Sequence, residues 1–327
     1  MPEDARLERF RTHERVFALA EPGDADLGPL GDLPGKWKSN DRGWNMIALP
    51  FAKSATNPIG YRLLLNQYKE ILNFSLVDKA VPNRGVDTPA AAVQTDQRVV
   101  TLDYEQLIKQ IAVADRPQST VAGSIDPPAP IHHEPGLFLN MANLTDGGPD
   151  VARLATIPHG NSALALGTSS TIAGGPTIPR VNGLPLGVGQ NVDTNPYLEP
   201  YKFFRDNPFE GLFDPTSPHA LLEQANVGLD ITSTTVLDLS TETETETGGI
   251  SNIPFIVKQA DAVSMKSTFW IQQLADGSKR MQYLQVVMLD FFPRFDGLPG
   301  LIGWPHVSIN TLDKISDQPD FNPDPDF

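Results

Sequence analysis

Six histidines and no cysteine bound the chemistry open to this sequence. Without a thiolate there is no cysteine nucleophile, no thiolate-bound zinc and no iron–sulfur cluster. Metal or proton-transfer chemistry falls on the histidines and the carboxylates. His13 and His219 sit in charged or loop contexts and read as surface residues. His132 and His133 are adjacent, so on a strand one faces in and the other out. Glu134 then shares a face with His132, and a carboxylate at that spacing can orient an imidazole by hydrogen bonding. A buried, satisfied polar pair explains the same spacing. His159 stands between Pro158 and Gly160, which suggests a bend or bulge that aims its ring, and bulges often adjoin active sites. His306 follows Trp304 and Pro305 and precedes Val307, Ile309 and Leu312. An imidazole in that apolar setting suits haem ligation, although a single histidine beside a tryptophan is more often a satisfied core residue. There is no GxGxxG after a strand, no Walker A sequence, no HExxH and no GxSxG.

The elements that must position these residues are mostly strands. The segments VSMKSTFWIQQL (263–274) and MQYLQVVMLDF (281–291) flank ADGSKR and read as a β-hairpin. Residues 97–113 alternate as a strand. Segments 131–141 and 150–157 read as a strand pair across a TDGGP turn. Trp37 and Trp44 suggest a first strand pair, whereas 61–74 fits strand or helix. Residues 3–20 carry apolar positions at helical spacing and end at Pro22–Gly23, so an N-terminal helix is expected. Segment 114–130 reads as loop. Prolines crowd 173–228, which reads as a long insertion with a short helix at 217–226 and the role of a lid over a cavity.

Composition supports this class. Glycine (26) and proline (30) are too frequent for a helical protein, and a 40% hydrophobic content is enough for a sizeable core. A meander of antiparallel strands removes its exposed edges by closing. The expected fold is therefore mainly β: a closed antiparallel barrel of about ten strands, with long loop insertions and an N-terminal helix. The expected layout is a helical extension at 1–26, one barrel domain at 27–315 with insertions at about 80–95 and 173–228, and an acidic tail at 316–327. A net charge of −15 disfavours nucleic acid and anionic membrane as partners. No stretch of signal-peptide or membrane-spanning character is visible, so a cytoplasmic protein is expected.

Three blocks, in order, carry a resemblance. LGDLPGKW (30–37), PIHHEPGLF (130–138) and WPHVSINTLDKI (304–315) resemble the LxxLxGxW opening, the PxHxExGF strand and the C-terminal haem-histidine stretch of the nitrobindin-like, fatty-acid-binding-protein-like barrels. The resemblance implies a calycin-type barrel with haem as cofactor and His306 bound to its iron. It implies Trp37, His132, Glu134, Phe138 and Trp304 as ligand contacts, and His159 or His133 as catalytic groups on the distal side. Some longer relatives look like predicted haem peroxidases of fatty-acid-binding-protein type, so peroxidase-like or small-gas chemistry is the expected activity. Whether the chain is an enzyme stays open. The alternatives are a haem-free barrel binding an apolar small molecule (a lipid, polyketide or terpenoid) and a cofactor-free isomerase or cyclase that uses His132 and Glu134. A homo-oligomer is compatible with every reading.

Overall fold

A computed structural model describes residues 19–50, 59–83, 97–120, 123–142, 148–157, 159–243 and 248–320. Most of the expected N-terminal helix, of the TDGGP turn and of the 80–95 insertion, and the end of the tail, lie outside them. Among the described residues eleven strands are formed: β1 (Gly35–Pro50), β2 (Tyr61–Asn83), β3 (Gln97–Arg116), β4 (Gly123–Ala142), β5 (Val151–Ile157), β6 (Asn161–Ala173), β7 (Ile231–Ser240), β8 (Gly249–Asn252), β9 (Asp261–Leu274), β10 (Lys279–Pro293) and β11 (Leu301–Ser316). All pairings are antiparallel. β1 pairs with β11 and β5 with β6, which closes a ten-stranded barrel, and β8 lies outside it against β6. Closure leaves no unpaired edge among the ten.

Three strand readings are refined. Trp37 and Trp44 lie on one strand, β1, which pairs with β2 rather than folding back on itself. Segment 61–74 is strand throughout, the first half of β2. Part of the 114–130 loop is strand as well, because β3 runs to Arg116 and β4 starts at Gly123. The β9–β10 hairpin forms as expected, its turn closed by Leu274 N–H donating to Ser278 O at 2.9 Å, with Gly277 at φ +89°.

Two apolar clusters hold the barrel. One plugs the end where β1 begins and β11 ends, with Leu27, Leu30, Trp37, Phe74 and Leu312 fully shielded from solvent. Burying each such side chain contributes about 1.5–3 kcal/mol. The other cluster lies largely on the outside. Trp44, Met46, Leu63, Leu65, Val307 and Ile309 alternate with inward residues and are covered by Ile178, Leu198, Tyr201, Phe209, Phe213 and Leu222. Those covering residues belong to the 174–230 connection, which carries helices α1 (Glu199–Asp206) and α2 (Ala220–Gln224). Trp44 stacks on Phe213 and meets Phe209 edge-on. The insertion is thus a buttress on the outer wall of β1, β2 and β11, and no residue from it lines the cavity described below. His219, expected at the surface, is buried there, and its Nδ1 accepts from Val181 N–H at 3.2 Å. The last helix, α3 (Pro254–Gln259), joins β8 to β9. No helix among the described residues is long and apolar enough to cross a membrane.

Candidate ligand cavity

At the end opposite the plug, the barrel encloses a cavity of about 270 Å³. Its walls mix aliphatic and aromatic side chains (Ile47, Leu64, Phe138, Phe269) with an unusual number of polar ones. It opens beside the β5–β6 turn, where His159 lines it and is also exposed to solvent.

The polar wall starts on β4. Strand alternation turns His132, Glu134 and Phe138 inward and His133 outward. Glu134 is almost completely shielded, at 1% exposure. Its Oε1 accepts from Arg153 Nη2 at 2.6 Å and from the Tyr104 hydroxyl, and its Oε2 meets His132 Nε2 at 3.2 Å. Arg153, on β5 directly across from Phe138, also donates from Nε to Tyr104 Oη at 3.0 Å and from Nη1 to Gln285 Oε1 at 2.6 Å. Burial alone would raise the Glu134 pKa. The guanidinium, with His132 and Tyr104 donating, instead brings it down to about 2, so the carboxylate stays ionised. Gly136 fits this arrangement. A Cβ there would lie 2.2 Å from Leu154 O and 2.6 Å from the Tyr104 ring, so the glycine leaves room for the ring that reaches Glu134.

Three histidines gather at the open end. The His132 and His159 rings are 5.8 Å apart between centroids. His306 projects from β11 into the cavity, two residues before the inward Ser308. Burial, and then the neighbouring His132 and His159, push its pKa down to about 4, so it is neutral at physiological pH. His159 is lowered for the same two reasons, burial first and then His132. Among the described residues neither ring nitrogen of His306 has a hydrogen-bond partner.

Deeper in the barrel, Glu70 accepts from Gln106 Nε2 at 2.7 Å, Tyr283 Oη at 2.6 Å and Asn310 Nδ2 at 2.7 Å. Burial outweighs these donors and raises its pKa. One side wall is an amide chain: Gln110 donates to Asn66, and Asn66 Nδ2 donates to Asn45 Oδ1 at 2.6 Å.

The structure therefore brings His132, Phe138, His159 and His306 to one cavity, with Glu134 buried directly behind its wall. It does not bring the others there. His133 lies on the outer face with its Nε2 2.8 Å from Glu105 Oε1. Trp37 belongs to the plug, where its Nε1 donates to Leu33 O at 2.8 Å. Trp304 belongs to the cluster packed against the insertion, near Tyr61 and Tyr197 and stacked on Phe291, its Nε1 donating to Phe291 O at 3.0 Å. Sequence reading missed Tyr104, Gln285, Asn45 and Asn66 as part of the site. They lie on β1, β2, β3 and β10, away from the strands of His132 and His306, so no spacing in the sequence links them to those histidines.

No family model matches the sequence, and no curated protein matches it. Among solved structures the chain is similar to one described as the crystal structure of Rv2717c from M. tuberculosis. The identity is 15%, over 89% of this chain and 98% of that one, with a TM-score of 0.39. A likeness that distant carries no argument about the site.

Proposed function

We propose that the barrel binds a small ligand through its open end, with His306 as the residue that meets the bound group, and haem as the group its donor chemistry fits. The observation that carries the reading is the unpartnered imidazole of His306 on the cavity wall among the described residues, and burial favours its neutral form. An unprotonated histidine nitrogen is the donor a haem iron takes, and no proton need leave it at pH 7. On donor chemistry the residues fit. Haem, when bound, would supply an iron centre for small-gas or peroxide chemistry. The chain's own contribution is to hold His306 half-buried on the cavity wall and to set His132 and His159 around the same space, where they can accept or donate protons. A haemin titration of the full chain beside His306→Ala tests the reading.

One observation favours a second reading. A cavity of about 270 Å³ falls just short of the range of about 300–1,000 Å³ common for ligand sites, and it encloses less than a tetrapyrrole needs. Arg153, the guanidinium on its wall, donates from each of its three nitrogens to Tyr104, Gln285 and Glu134, and Glu134 neutralises its charge, so it offers a propionate no net charge. A smaller, haem-free ligand satisfies both facts. Native mass spectrometry of the purified chain separates the two by the mass carried.

A further inference from the structure

The His132–Glu134 pair is more than a satisfied buried contact. Glu134 is the third member of a fixed relay: Arg153 and Tyr104 hold one carboxylate oxygen, and the other oxygen faces His132 Nε2 at 3.2 Å. A carboxylate kept ionised and immobile by a buried arginine accepts from a proton on Nε2, so in the neutral ring Nδ1 is the nitrogen left to act as a base. The ring lines the cavity, and among the described residues Nδ1 has no partner. Around it stand Glu134 on its own strand, Glu70 from β2, His159 from the β5–β6 turn and His306 from β11.

The cavity beside it also defines what it can hold. The Arg153 charge is cancelled by Glu134. Ser308 Oγ, Gln285 Nε2 and Asn45 Nδ2 face the space without a hydrogen-bond partner among the described residues. Such a wall recognises an uncharged molecule with several hydrogen-bonding groups, because an uncompensated charge would be desolvated there without a counter-ion.

We propose that His132 is a general acid–base residue of this cavity, oriented by Glu134, acting on a small uncharged hydrogen-bonding substrate. Nδ1 takes a proton from an acidic C–H or O–H of that molecule, and the same proton returns to another of its atoms. The net change is an isomerisation, which needs no oxidant, reductant or second substrate. The proposal does not require haem at His306, and the two ligands would compete for one cavity.

The test uses 5-nitrobenzisoxazole, an uncharged probe whose C–H proton passes to a base as its N–O bond breaks and a cyanophenolate is released. The full chain should open the ring at a rate that rises with pH as one group loses its proton. His132→Gln should lose about 100-fold of that rate. His133→Gln, on the outer face, should keep it. A wild-type rate no higher than that of buffer, or equal rates for wild type and His132→Gln, would overturn the proposal. A second measurement does not depend on a variant folding. ¹⁵N NMR of the histidines should show neutral His132 with its proton on Nε2, and a proton on Nδ1 instead would overturn the orientation by Glu134.

Discussion

Arg153 Nη2 donates to Glu134 Oε1 at 2.6 Å in the wall of the barrel, with side-chain exposures of 3% and 1%. Two charges withdrawn from water to that extent depend on each other. Removing one partner leaves the other buried and uncompensated, which costs about 3–5 kcal/mol. Arg153→Met should therefore lower the urea-derived stability by about that amount. A loss under about 1 kcal/mol would mean that water reaches the pair and that it behaves as a surface contact.

The Gly136 position is tested by one added methyl. In Gly136→Ala the new Cβ meets Leu154 O and the Tyr104 ring, and overpacking of this kind costs about 1–3 kcal/mol. The Tyr104 ring must turn away, so its hydroxyl should leave Glu134 in a crystal structure of the variant. An unmoved Tyr104 with unchanged stability would contradict the close approach.

Stability should fall on the acid side because of His306. Its folded pKa is about 4, lowered by burial and by His132 and His159, against an ordinary value of 6.5. The unfolded chain therefore takes up the proton first. The contribution is complete above about pH 6.5 and is lost as pH falls from there to about 4, a change of about 3 kcal/mol. His159, lowered for like reasons, acts in the same direction. The denaturation midpoint should be level from about pH 7 upward and drop through that window, and His306→Gln should remove much of the drop. An identical slope in the variant would show that the imidazole is not buried in its neutral form.

The insertion is the fourth test. Phe213, fully buried against Trp44, joins the 174–230 segment to the outer wall. Phe213→Ala should cost about 3–5 kcal/mol and leave haemin affinity unchanged. An affinity change with stability intact would restore the segment to the role of a lid.

The outer buttress also explains what could and could not be read from the sequence. The hairpin was legible because the β9 and β10 runs are long and their link holds Asp276–Gly277. The first half of β2 was ambiguous because both of its faces are covered. Leu63 and Leu65 meet the insertion, while Leu64 faces the cavity, so period-two alternation disappears. Along β11 the usual pattern is inverted: apolar Val307 and Ile309 point out, and polar His306, Ser308 and Asn310 point in. A reader of alternation alone assigns such faces the wrong way round. His132, Glu134 and His306 were found because their residue types carry chemistry wherever they sit. Tyr104, Gln285 and Asn45 were not, because only closure of the barrel brings β1, β3 and β10 onto one space.

The central claim is that His306 is the cavity's contact to a bound group. The most direct measurement is a haemin titration of the purified chain, followed by absorbance and repeated on His306→Ala. The account predicts a Soret band that saturates at one haemin per chain and is lost in the variant. No Soret shift in the wild type, or the same band in both proteins, would contradict it.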